Sequence, residues 1–398
     1  MPAKNKRLIT AEDLYRFEHI TDARIAPDGR STIISVRHVD QKTEKKYSNL
    51  WLYPTRGGKP RQFTYGDHVD SSPRWSPDGS QIAFLSNRKD GKSAQIYLIP
   101  VDGGEARPLT DLKGSIGGFQ WSPDGKNLLC AFRKKDKESL EREQDEQKKK
   151  LGIVARHYAN RTFFKLDGAG YQPDNEYWHL WIIDAKSGKA TQLTPDDRYD
   201  ENDLAWSPDG EWVAFASNRS EDPDMEPDLG ELYIMPSAGG EMQTIPTPTG
   251  PKFMPAFSPD GRFLAYFDPS SGFPLLSALP LDENVAVTGP AVGLGQRGSQ
   301  PAWSPNSEAL VFVAASAGRS FLMAGNPNAW GVAPQTFASD GVLANPSWSA
   351  VTLPLDWIDA WQSMDAGQEA APLFVEALAD TAAPVGAGTP TPAPAASV

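Results

Sequence analysis

The sequence predicts an all-β fold: a β-propeller of six to seven four-stranded antiparallel blades, with a short N-terminal helix and a disordered C-terminal tail. A turn motif that recurs along the chain, a spacing between copies that fits one blade, and strands apolar on both faces together predict it. The copies are IAPDG at Pro27, WSPDG at Pro77, Pro123 and Pro208, FSPDG at Pro259 and a worn WSPNS at Pro305. Successive prolines lie 50, 46, 85, 51 and 46 residues apart, and all but one of these values match a four-stranded blade of about 40 to 50 residues. A chain of 398 residues would otherwise suggest two or three domains. Repeat units pack only on their neighbours, so one long chain can build one architecture.

Taken in order, residues 1–20, with ITAEDLYRF at their centre, read as a helical segment, and residues 21–349 as the propeller. Within each unit, Ser76-Pro77-Asp78-Gly79 puts serine first, proline second and glycine fourth in a type I turn, which reverses a strand. The turn aspartates Asp28, Asp78, Asp124, Asp209 and Asp260 are therefore turn formers rather than metal ligands. The preceding Trp75, Trp121, Trp206 and Trp303, with Ile25 and Phe257 in their place elsewhere, recur because each blade must fill the same wedge with a large side chain. After the turn, Ile82 and Phe84 alternate with Ala83 and Leu85, as a strand needs when its sheet is covered on both faces. The next strand, in SAQIYLIPVDGG, ends at Gly103-Gly104, and GELYIMPSAGGEMQTI repeats that order. Cys130, the single cysteine, lies in NLLCAFR between Leu128 and Phe132 and reads as an inert core thiol, with no helix start or histidine to activate it.

The spacing of 85 residues leaves room for an insertion at about 134–171. Its first part, KKDKESLEREQDEQKKK, is polar all round and suits a solvated helix with Glu138–Arg142 and Glu146–Lys150 pairs. Its second part, RHYANRTFFKLDGAGY, would carry Arg156, His157, Arg161 and Lys165 to one rim of the propeller, either as a decorated hairpin or as a gate that touches substrate. The acidic loop at 221–231 offers Asp222, Asp224 and Glu226 but has Pro227 and Tyr233 where an EF-hand loop needs glycine and glutamate, so it reads as solvated. ANPSWS at 344–349 begins like a seventh blade. Residues 350–398 read as a divergent, largely disordered tail: AVTLPLDWIDAWQSMDAG abandons the turn and the alternation, and the closing DTAAPVGAGTPTPAPAASV cannot bury enough apolar surface to order itself.

With 51 acidic against 39 basic side chains and a net charge of -12, the average surface repels phosphate backbones, which excludes nucleic acid as a partner. No run approaches the apolar length of a membrane span or a signal peptide, so the expectation is a cytoplasmic protein without a membrane partner. The five histidines, His19, His38, His68, His157 and His179, are scattered, and neither a metal site nor any other cofactor is expected.

RYDENDLAWSPDGEWVAFASNRSEDPD, ELYIMPSAGGE and ITAEDLYRFEHITDARIAPDGR resemble the N-terminal propeller of prolyl-oligopeptidase-family serine peptidases, and the acylaminoacyl-peptidase branch in particular. The resemblance covers about residues 8–349; the turn motif itself is shared with free-standing TolB-type propellers. It implies a propeller that caps the pocket of a C-terminal α/β-hydrolase domain and admits only short peptides. The chain contains no G-x-S-x-G nucleophile elbow and no histidine after His179, so no Ser-Asp-His residue can be carried over. The expectation is a non-catalytic, substrate-gating propeller, truncated or interrupted near residue 349, with peptides or a hydrolase domain or subunit as partner. An open ring would then expose sheet edges. The alternatives are a TolB-like protein or peptide interaction module, and catalysis by histidines converging on a metal in the channel.

Overall fold

The computed structural model describes residues 8–147, 165–166, 170–171, 175–195, 198–269, 275–297, 299–316, 319–325 and 335–338. Among them are six four-stranded antiparallel sheets and one two-stranded hairpin. Blade 1 comprises β1 (His19–Ile25), β2 (Ser31–Val39), β3 (Lys46–Pro54) and β4 (Arg61–Gln62). Blade 2 is β5 (Asp70–Trp75), β6 (Gln81–Ser86), β7 (Gln95–Pro100) and β8 (Arg107–Pro108). Blade 3 is built from β9 (Gly114–Trp121), β10 (Asn127–Lys134), β13 (Trp178–Asp184) and β14 (Ala190–Gln192), and the hairpin β11 (Lys165–Leu166) and β12 (Gly170–Tyr171) falls between its middle strands. Blade 4 contains β15 (Glu201–Trp206), β16 (Trp212–Ser217), β17 (Glu231–Pro236) and β18 (Gln243–Thr244). Blade 5 has β19 (Phe253–Phe257), β20 (Phe263–Asp268), β21 (Leu275–Pro280) and β22 (Val292–Arg297). Blade 6 has β23 (Ser299–Trp303), β24 (Leu310–Ser316), β25 (Arg319–Gly325) and β26 (Gln335–Ala338).

The first strand of each blade packs on the first strand of the next, from β1 through β5, β9, β15 and β19 to β23. These are the axial strands. The cores lie between blades rather than within them. Ile82 and Phe84 join Ile33, Leu50 and Leu52 of blade 1, whereas Ala83 and Leu85 of the same strand join Phe119, Leu128 and Cys130 of blade 3. Further clusters fill the seams of blades 3 and 4, 4 and 5, and 5 and 6. Among the described residues no such cluster bridges blades 6 and 1. The strand apolar on both faces is thus a strand that serves two seams.

The turns also connect blades. In each of the five complete copies the glycine has a positive φ, between 68° and 76°, and donates its N–H to the first residue of the turn. Ser122 Oγ donates to Asp124 Oδ1 at 2.7 Å and accepts the N–H of Asn127, while the same carboxylate oxygen accepts the N–H of Lys126. These bonds hold the Asp124 carboxyl down at about 2. Gly125 lies against Pro77 of the preceding turn and Gly210 against Pro123. In the worn copy Ser307 takes the left-handed conformation, φ 60°, and its Oγ accepts the N–H of Asp260 from the neighbouring turn at 3.0 Å. Substituting Gly125→Ala meets only ordinary contact with Pro77 Cδ at 3.5 Å, so its effect is conformational. We expect a loss of about 1 kcal/mol in urea unfolding.

The wedge tryptophans do more than fill space. Trp75 Nε1 donates to Arg24 O at 2.9 Å, Trp121 to Arg74 O at 3.1 Å and Trp303 to Ala256 O at 2.9 Å, each reaching the axial strand of the preceding blade.

The N-terminal helix is a short 3-10 element, Ala11–Arg16, which packs on β2; His19 is already strand. The suggested seventh blade at 344–349 and the tail from residue 350 lie outside the described residues. The insertion interrupts blade 3 after its second strand, and β13 returns to pair with β10 in register.

Candidate functional site

The insertion begins at one end of β10. Its helix α1 (Lys137–Gln144) is capped by Asp136, which accepts the N–H of Ser139 at 2.6 Å, and has no buried residue. The expected Glu138–Arg142 pair forms at 2.9 Å. Of the four residues proposed as a gate, Arg156, His157 and Arg161 lie outside the described residues, as does Lys150. Lys165 opens β11, its backbone paired with Tyr171. Between α1 and blade 2 runs a groove lined by Lys89, Lys113, Lys135, Asp111, Leu140 and Glu143. Its charges are matched: Lys89 meets Asp111 at 2.8 Å and Lys135 pairs with Glu143.

The return of the insertion into blade 3 is anchored by two consecutive acids of blade 4. The Trp178 N–H donates to Asp200 Oδ1 at 2.7 Å, and His179 Nδ1 lies 2.9 Å from Glu201 Oε2. Thr194 Oγ1 donates to the same carboxylate at 2.8 Å, and Arg219 pairs with its other oxygen. Glu201 is completely buried, and burial outweighs its partners to raise its carboxyl above the ordinary value. The cluster contains a carboxylate, an imidazole and a hydroxyl, yet it is not a nucleophile's relay. Thr194 Oγ1 accepts the N–H of Leu180 while giving its proton to Glu201, so the hydroxyl does not face the imidazole as a nucleophile must face its base.

The same arrangement recurs in blade 2. Asp70, buried at the start of β5, accepts from Ser86 Oγ at 2.6 Å and pairs with Arg88 at 2.8 Å. Arg88 lies over the rings of Phe84 and Tyr97, and Arg219 over those of Tyr199 and Tyr233. Each arginine closes an SNR tripeptide eighteen residues after its acid. In blade 5 the charges are exchanged, with buried Lys252 3.2 Å from Asp268. These linked acids and arginines were not singled out from the sequence, although the fixed spacing from acid to SNR was there to be read.

Each axial strand departs from regular pairing through a bulge. At these bulges Ser72, Asp203 and Met254 take positive φ values of 52°, 53° and 53°, a conformation that costs a non-glycine residue energy and that re-aims its side chain. Asp203 Oδ2 accepts the Met254 N–H at 3.1 Å, and burial raises its carboxyl. Phe253 and Met254 remain exposed on β19. On blades 1 and 2, Asp22 binds both Arg24 at 3.0 Å and Arg74 at 2.7 Å.

Among the described residues no three histidine, cysteine or acidic side chains group closely enough to hold a metal ion. His19 and His38 belong to blade 1, His68 follows it and His179 is committed to Glu201. Cys130 is fully buried, and burial pushes its thiol up to about 12, so it carries no thiolate at neutral pH. No helix among the described residues is long and apolar enough to cross a membrane.

Several known proteins are similar to this chain. It is 36% identical over 230 residues to the uncharacterized peptidase YuxL of Bacillus subtilis, a match that spans 58% of this chain and 34% of that protein. The chain thus matches about a third of that relative's length. In fold it is similar to an acylaminoacyl peptidase of Pyrococcus horikoshii, with a TM-score of 0.59 at 16% identity, over 82% of this chain and 47% of that one. It is also similar to the β-propeller domain of the trilobed protease of Pyrococcus furiosus, with a TM-score of 0.52 at 15% identity over 82% and 86% of the two chains. The family model described as the TolB beta propeller domain matches residues 11–161 and 172–352. On that match, and on the six repeating sheets among the described residues, the chain belongs to the TolB beta propeller domain family.

Proposed function

We propose that this chain is the non-catalytic, substrate-gating propeller of a prolyl-oligopeptidase-type serine peptidase. The observation that carries this reading is the 36% identity to a peptidase over 230 residues, joined to a fold similar to that of an acylaminoacyl peptidase. The gating mechanism is steric: a ring of stacked sheets over a catalytic pocket admits an extended peptide and excludes a folded protein. Blade seams filled by large buried clusters give such a ring the stiffness this requires. The partner is a hydrolase domain or subunit, and the setting is cytoplasmic, where a reduced Cys130 thiol is the ordinary state.

Two measurements test the reading. Purified chain incubated with acylated chromogenic aminoacyl substrates and with a fluorophosphonate is expected to show neither turnover nor labelling; labelling of a serine would defeat the non-catalytic assignment. Exchanging the matching stretch of YuxL for this chain is expected to give a hydrolase that cleaves short peptides and spares folded proteins. Indiscriminate cleavage by that chimera would defeat the gating role. A free-standing interaction module is the second reading, favoured by the family match itself and by exposed Phe253 and Met254 on an axial strand. Stable capture of one partner unrelated to any hydrolase would favour it.

A further inference from the structure

The residue three places before the turn proline changes character around the propeller. Blades 1 and 2 place Arg24 and Arg74 there and blade 3 Gln120, whereas blades 4, 5 and 6 have Ala205, Ala256 and Ala302. All stand on axial strands. The cationic arc is thus confined to blades 1 and 2, whereas Ala205 is buried and Ala256 packs on the core between blades 5 and 6.

The cationic arc is electrostatically incomplete. Arg24 Nε lies 3.0 Å from Asp22 Oδ1, and Arg74 Nη1 is 2.7 Å from Asp22 Oδ2 and 2.8 Å from Pro73 O. Two guanidinium groups thus share one carboxylate. A guanidinium has five N–H donors, and the Nη groups of Arg24 with the Nε and Nη2 of Arg74 make no hydrogen bond among the described residues. Each arginine side chain retains about a quarter of its exposure, 24% and 26%, whereas Asp22 retains 11%. Burial and the neighbouring Arg74 charge lower the Arg24 pKa, against the pull of Asp22. A further anion would relieve that repulsion.

We propose that Asp22, Arg24 and Arg74 form a carboxylate-binding site on the axial strands of blades 1 and 2, and that its ligand is the free C-terminal carboxylate of a short peptide. Paired guanidiniums in fork geometry recognise a planar carboxylate. The peptide identity rests on the gating reading; the carboxylate specificity rests on the geometry alone.

Titration calorimetry of the full chain at low salt with N-acetyl-Ala-Ala-Leu, as the free acid and as its C-terminal amide, tests the site. The free acid is expected to bind about tenfold more tightly than the amide, and to weaken as salt is raised. Arg24→Gln is expected to lose about tenfold in affinity for the acid and to leave the amide unchanged. Asp22→Asn, which removes the competing carboxylate, is expected to tighten the acid. Equal binding of acid and amide, or no binding of either, overturns the proposal. Inorganic phosphate that binds as tightly as the peptide acid overturns the peptide assignment. Should Arg24→Gln fail to fold, Asp22→Asn decides: unchanged or weaker acid binding refutes the site. Discrimination of acid from amide with an indiscriminate chimera would remove gating and keep the site; the reverse pattern would remove the site and keep gating.

Discussion

Replacing Arg219 by alanine is expected to destabilise the propeller by about 3–5 kcal/mol, the range for breaking a buried ion pair from one side. Glu201 is completely buried, and Arg219 is the only full cation among its described partners. Without it the carboxylate stays in the seam between blades 3 and 4 with a histidine and a threonine hydroxyl. Two bonds between blades then weaken together, because Glu201 of blade 4 holds His179 and Thr194 of blade 3. The double variant Glu201→Gln with Arg219→Ala is expected to recover most of the loss, since a neutral amide does not carry the cost of a stranded charge. The pH dependence has a definite sign. Burial already raises the folded-state carboxyl of Glu201 above its unfolded value, and loss of Arg219 raises it further. The defect is therefore full above the folded value and shrinks as pH falls through it, because Glu201 is then protonated in the folded state of both proteins. Urea titrations of the two variants between pH 5 and 8 check both points; a single variant as stable as the parent would show that Arg219 contributes nothing at this seam.

The architecture was legible because its cause is local. A proline, an aspartate and a glycine at fixed positions dictate a turn whatever surrounds them, and six copies at blade spacing leave one arrangement. The doubly apolar strands were legible for the same reason, since alternating contacts with two neighbours require both faces to be apolar. The polar seams were harder to read. Asp70 and Arg88 stand eighteen residues apart, as do Glu201 and Arg219, but nothing local marks an acid at a strand start as buried; only the neighbouring blade, which removes water from it, makes the pair consequential. Likewise the tryptophans could be assigned to the wedge by size, whereas their bonds to Arg24 O, Arg74 O and Ala256 O depend on the stagger between adjacent axial strands. The insertion was recognised from length, yet a residue count does not say which strand pair it interrupts. That it splits β10 from β13 follows from their pairing. Of the gate residues chosen from the sequence, Lys165 alone falls within the described chain, and the structure directs attention instead to Arg24 and Arg74, whose shared carboxylate comes from a bulge that no periodicity announces.

Phe215→Ala is expected to cost about 3–5 kcal/mol, the usual loss for a buried phenylalanine. Phe215 is fully buried and stacks on Tyr233, with ring centroids 5.7 Å apart at 21°. It belongs to the cluster of Leu129 and Leu180 from blade 3 with Val213 and Met235 from blade 4, so the cavity opens between sheets. Tyr233 is also the ring beneath Arg219, and its displacement loosens the cation that neutralises Glu201. Packing and electrostatic losses therefore couple, and Phe215→Ala combined with Arg219→Ala is expected to lose less than the sum of the two single effects. Because the blades share seams rather than owning cores, the damage should spread sideways. In hydrogen exchange, the amides of β10 and β13 are expected to lose protection along with those of β16, while β2 and β6, whose shared seam is remote, keep theirs. A loss below about 1 kcal/mol, or protection lost in blade 4 alone, would show that the blades are independently stable sheets; the seam would then be a contact surface and not the core of the fold.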